Sequence, residues 1–142
     1  MGIATGTTDN GWLDTDMRST NYRDTNLLQM AQGERCLLLA VERCQTNLGE
    51  TTLACHSNFL LDGKARGLKA SDAKTVWGCL HCHTWLDQGM APKKEKQRVW
   101  DAAYLRQIEE WVKIAENVCL KPWRVEAARK VLDHLGVSYG KL

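Results

Sequence analysis

The sequence predicts an α+β fold: a small cysteine-bearing core with short extended segments, followed by additional C-terminal helices. Three observations predict it. From about residue 94 onward, apolar residues recur every three or four positions, the period of an amphipathic helix. In "TNLGETTLACHS" (46–57), a turn at Gly49 precedes an extended run rich in β-branched residues, as a strand requires. Four cysteines flank that run in two pairs, Cys36 with Cys44 and Cys79 with Cys82. With 142 residues, the chain has the length of one domain with a modest core.

The elements follow in order. Residues 1–19 are rich in Gly, Thr, Asp and Asn without periodicity and are expected to be a flexible N-terminus. "NYRDTNLLQMAQG" (21–33) predicts a short helix ending at Gly33, a residue that closes helices at low conformational cost. "RCLLLAVERC" (35–44) is apolar with a cysteine at each end, either a strand or a knuckle. "LLDGKARGLKASDAKT" (60–75) predicts a loop or irregular hairpin. "SDAKTVWG" is expected to lead into a helix carrying Cys82, His83 and Asp87, stopped by Gly89 and Pro92.

The long helix carries Val99, Ala103, Leu105, Ile108, Trp111, Val112 and Ala115 on its apolar side. Pro122 interrupts it, and "WRVEAARKVLDHLG" gives a second helix closed by Gly136. The boundaries are therefore 1–19, a cysteine-bearing domain at 20–92, and a helical C-terminal extension at 93–142. That extension either packs on the core or offers a homodimer surface.

Composition narrows the class. Apolar residues are 44% and charged residues 25%, ordinary for a soluble domain. No run of 18 apolar residues exists, so no membrane partner is expected. The start lacks a basic segment followed by an apolar one, so it is no secretory signal, and Gly6 stands where a myristoylation motif has Ser or Thr. A cytoplasmic protein with reduced thiols is expected, and there six cysteines suggest metal binding rather than disulfides. The net charge of +2 and pI of about 8.2 permit nucleic-acid binding without arguing for it. The cations are uneven, with "KARGLK" (64–69) and "KKEKQR" (93–98) both positive.

A tetrahedral structural zinc takes four thiolates or imidazoles, usually from two chain segments. Cys36, Cys44, Cys79 and Cys82 fit that arrangement, although the seven residues between the first two exceed the usual spacing. Two alternatives stand beside it. One is a redox Cys-x-x-Cys, which would want a surrounding βαβ pattern; the other is simple buried thiols. Cys55 and Cys119 are left over, and Cys119 is expected in the core on the apolar side of the long helix.

His83 and Asp87 stand at i and i+4, on one helix face, where two side chains can share a divalent cation. Such a cation can polarise a phosphodiester and stabilise its leaving oxygen. His56 ends the predicted strand and could act as general base, since an imidazole ordinarily titrates near neutral pH. Asn58 and Asp72 could orient that base or the metal. His81, between two cysteines, is expected to face solvent.

Together these stretches resemble the HNH (ββα-metal) endonuclease class. Between Arg35 and Gly89 they are more narrowly similar to the YbcO family of small phage and prophage nucleases. The residues that carry the resemblance are "GERC" (33–36) with Cys44 eight positions on, "ACHSN" (54–58), "GLKASD" (67–72) and "CLHCHTWLDQG" (79–89). The resemblance implies a ββα-metal core and a structural zinc at Cys36, Cys44, Cys79 and Cys82. It also implies His56 as general base, His83 as a catalytic metal ligand, and action on DNA in phage recombination or replication. Many members of the class have an acidic metal ligand directly before the base histidine; here that position is Cys55. Either Asp87 takes over, or Cys55 ligates and favours a softer metal such as zinc, or metal binding is weak.

Two functions are expected from this. The first is a metal-dependent DNA endonuclease using Mg2+, Mn2+ or Zn2+. In it His56 activates water, His83 and Asp87 hold the cation, and Lys64, Arg66 and Lys69 contact neighbouring phosphates. The alternative is a non-catalytic, zinc-stabilised nucleic-acid-binding module, with a protein-interaction domain built on the tryptophan-bearing helices as a third class.

Overall fold

A computed structural model describes residues 21–59 and 70–140. Among them are four helices and one two-stranded antiparallel sheet, in the order α1 (Thr25–Gln29), β1 (Leu53–His56), β2 (Thr75–Gly78), α2 (Leu80–Gln88), α3 (Lys93–Ala115) and α4 (Pro122–Leu135). The architecture is α+β. No helix among the described residues is long and apolar enough to cross a membrane.

The expected short helix is present but ends early. Asp24 caps it, its Oδ1 accepting from the amides of Asn26 and Leu27 at 3.0 and 3.3 Å. The expected strand is β1. Its partner is β2, a strand the sequence reading did not predict, registered Leu53↔Gly78, Ala54↔Trp77, Cys55↔Val76 and His56↔Thr75; it leads, as expected, into the helix that carries Cys82, His83 and Asp87 and stops at Gly89. Thr75, Val76 and Trp77 favour a strand, and all four residues of β2 are buried. That burial removes the alternation by which strands are usually recognised.

The outer edge of β2 is capped rather than left open. The Trp77 amide donates to Gln107 Oε1 at 2.8 Å, and the Trp77 carbonyl accepts from the Leu37 amide at 2.7 Å. An edge strand without such partners would bury unpaired backbone groups. Gly78 is required by space: a Cβ there would meet Leu38 Cδ1 at 2.6 Å and Cys55 Sγ at 2.7 Å.

α3 is the expected long helix, rotated about one position from its expected face. Its buried residues are Trp100, Ala103, Gln107, Trp111, Ile114 and Ala115, whereas Leu105 is 67% exposed. The rotation brings Gln107 under β2. α4 begins with Pro122 at its first turn, where the missing amide costs nothing. It ends at Gly136 with φ 74°, and the Val137 amide reaches back to the Leu132 carbonyl at 2.9 Å. α3 packs on α4 and β2, and α1 packs on α4 and β1. One apolar cluster joins Leu27 and Met30 of α1, Leu37 and Leu38, Val76 and Trp77, and the helical residues Trp100, Trp111, Val131 and Leu132. Cys119 lies beyond the end of α3 and is exposed, contrary to its expected place in the core.

Candidate metal centre and catalytic cluster

The Sγ atoms of Cys36, Cys44, Cys79 and Cys82 all lie within 4.8 Å of one another. A tetrahedral zinc with bonds of about 2.3 Å holds its sulfurs about 3.8 Å apart; Cys79 and Cys44 are 4.0 Å apart. The eight-residue step from Cys36 to Cys44 is a compact knuckle. Leu39 adopts a left-handed conformation at φ 49°, strained for a residue with a side chain. The next amide, of Ala40, points at Cys82 Sγ at 3.2 Å, and the Gln45 amide at Cys79 Sγ at 3.4 Å. Amides aimed at sulfur suit thiolates and are usual around metal-bound cysteines.

The ionisation pattern agrees. The hydrogen bond from Cys82 lowers the Cys36 thiol to about 4, and the same bond pushes Cys82 up. Burial pushes Cys44 up to about 12. Four crowded sulfurs cannot all ionise unless a cation offsets their repulsion. A redox pair needs no second pair of thiols around it, and bare core thiols need no amides aimed at them. This group can hold a structural metal such as zinc. Among the described residues it is the one group of three or more histidine, cysteine or acidic side chains so gathered.

His56, at the end of β1, forms a second unit. Its Nε2 lies 2.8 Å from Asp72 Oδ1, and Asp72 is only 4% exposed. The other carboxylate oxygen accepts the Asp24 amide at 2.8 Å, and Arg23 stands 3.4 Å from Oδ1. Burial alone would raise the Asp72 carboxyl, but the hydrogen bonds from His56 and the Asp24 amide and the Arg23 charge hold it below its ordinary value. An ionised Asp72 only accepts, so His56 Nε2 carries a proton and a neutral ring keeps its lone pair at Nδ1. The pair lines a cavity of about 530 Å³ with Arg23, Asp24, Thr25 and Leu28.

His83 and Asp87 form a third unit on α2, with Nε2 and Oδ2 3.0 Å apart. At that separation the two side chains pair directly with each other across one turn of the helix. Asn58 donates from Nδ2 to Asp87 Oδ1 at 2.9 Å and to the Leu86 carbonyl at 3.2 Å, fixing the carboxylate.

Other expected residues fall elsewhere. Cys55 is fully buried, within 3.9 Å of the Leu53 and Gly78 carbonyls, and burial raises its thiol. Successive strand residues face opposite sides, so Cys55 points away from His56, and it is outside the four-sulfur group. His81 is half-buried, in a cavity with Val41, Arg43 and Trp85. His56 and His83 line separate cavities. Lys64, Arg66 and Lys69 lie outside the described residues.

Several contributors have no sequence signal of their own. Arg106 of α3 donates from Nε and Nη2 to the Leu37 carbonyl at 3.0 and 2.7 Å, clamping the knuckle. Arg35 pairs with Glu110 at 2.7 Å, and Arg124 with Glu34 at 2.5 Å. Comparison with known protein families, characterised proteins and solved structures gives no match.

Proposed function

We propose that the chain is a metal-dependent DNA endonuclease of the HNH (ββα-metal) type, with a structural zinc at the four cysteines. The observation that carries this reading is the strand-end histidine oriented by a buried carboxylate, His56 on Asp72 at 2.8 Å. It sits on an antiparallel hairpin that runs into a helix bearing the His83–Asp87 pair. Oriented bases of this kind serve proton transfer.

A divalent cation held by His83 and Asp87 would supply positive charge to the phosphate and to its leaving oxygen. Asn58 keeps Asp87 turned toward that position. His56 and His83 line separate cavities, so the reading requires a DNA strand that spans both; on it His56 accepts a proton from water at Nδ1, and the water oxygen forms the new bond to phosphorus as the phosphorus–leaving-oxygen bond breaks. Asp72 holds the resulting imidazolium, and the leaving oxygen takes a proton from solvent.

The second reading, a non-catalytic zinc-stabilised nucleic-acid-binding module, is favoured by the buried, protonated Cys55 where an acidic ligand is common. Incubation of supercoiled and branched DNA with Mg2+, Mn2+ or Zn2+ separates the two. Cleavage is expected for the native chain and not for His56→Ala. Binding without cleavage in every metal, or equal cleavage by the variant, would favour the module.

A further inference from the structure

The cavity beside Asp87, of about 510 Å³, is lined by Asn58, Phe59, Leu86, Asp87, Lys93 and Lys96, among others. The two lysines come from the first turn of α3, just beyond the cysteine-bearing stretch. Lys96 is not a freely waving side chain. Its Nζ donates to the Leu86 carbonyl at 3.0 Å, the same carbonyl that accepts from Asn58. The ammonium also stands 5.9 Å from the centre of the Trp85 ring. One carbonyl thus ties Lys96 to the residue that orients Asp87. The acidic neighbour Glu95 is engaged by Arg98 at 3.4 Å. The helix begins at Pro92 without a side-chain cap, so its first amides and dipole add to the positive field.

From this cavity we infer that Lys93 and Lys96 are a phosphate clamp for the DNA backbone next to the scissile bond. The inference rests on the proposed nuclease reading. Asp87 and Asn58 form the floor, and the two ammonium groups neutralise neighbouring phosphates without reading sequence.

The test is the salt dependence of duplex DNA binding by the full-length zinc-loaded chain, measured without added divalent metal so that cleavage does not enter. Each phosphate neutralised contributes about 0.9 to the slope of log affinity against log salt. Lys93→Gln with Lys96→Gln should lower that slope by about 2. Between about 50 and 200 mM salt the native chain should then lose roughly tenfold more affinity than the variant does. Lys96→Arg should keep the native slope. Lys113→Gln with Lys130→Gln, which removes equal charge elsewhere, should change it little. A cooperative thermal transition like that of the native chain checks that each variant is folded. An unchanged slope in a folded Lys93/Lys96 variant overturns the clamp, while native cleavage of DNA by the same variant leaves the nuclease reading standing. A native chain that binds no DNA at low salt overturns both.

Discussion

At the residue scale, His56 and Asp72 have distinguishable roles. Asp72→Asn keeps the shape but can donate to His56 Nε2, which favours the wrong ring tautomer. The expected result is a fall in cleavage rate on the order of 10²-fold, with DNA affinity unchanged, measured on supercoiled substrate. Asp72 also predicts an acid limit. Its folded-state pKa is depressed, so its contribution to stability is full above the ordinary carboxyl value and is lost as pH falls through the lower, folded one. Denaturation midpoints of the native chain should therefore drop at acid pH, and Asp72→Asn should flatten that drop. A parallel drop in the variant would assign the acid limit to other groups. The pair was half legible in the sequence. His56 stood out because it follows a β-branched run, but Asp72 was only one of two candidates. Its selection depends on burial and on the Asp24 amide, neither of which leaves a local pattern.

At the level of elements, helices were easier to read than strands because α3 and α4 each keep a wet face and a dry one. β2 has no wet face, so its sequence lacks the alternation that marks a strand, and only the helix it leads into is legible. The buried face of α3 departs from the apolar pattern for a related reason. Gln107 looks polar, but it is buried as the cap of the Trp77 amide, while the apolar Leu105 is exposed. The knuckle could be guessed from its cysteines but not from its spacing, since Leu39 must take a strained turn to aim Ala40 at Cys82. Arg106 holds that turn from outside. Arg106→Ala should cost about 1.5–3 kcal/mol, since it removes charged hydrogen bonds to carbonyls that stay partly buried, read as a lower midpoint in urea. Cys79→Ser should do more, releasing the metal and unfolding the middle of the chain. A variant that retained one zinc per chain and a native midpoint would show that the four sulfurs are not the binding site.

For the whole molecule, the question is whether residues 1–92 form a unit that the C-terminal helices merely accompany. Packing argues that they do not. β2 buries its outer edge on Gln107, the knuckle carbonyls sit on Arg106, and α1 lies against α4. The ion pairs Arg35–Glu110 and Arg124–Glu34 tie the same segment to both helices. Without those helices, α1 and β2, which carry the buried Leu27, Val76 and Trp77, would lose the elements that pack on them, and each such side chain left facing water would forfeit about 1.5–3 kcal/mol of burial. The four cysteines would remain, and zinc binding can order a short segment by itself. The two contributions therefore come apart on truncation. A chain ending at residue 92 should still take up about one zinc, because every ligand precedes that point. It should nevertheless lack the sharp near-ultraviolet circular dichroism of a fixed tryptophan and the cooperative thermal transition of the full chain. Zinc uptake with both of those signatures intact would mean that the metal and the hairpin suffice, and that α3 and α4 are accessories to a self-sufficient core. Loss of zinc as well would mean that the helices are needed even to gather the four sulfurs, with Arg106 the first contact to suspect.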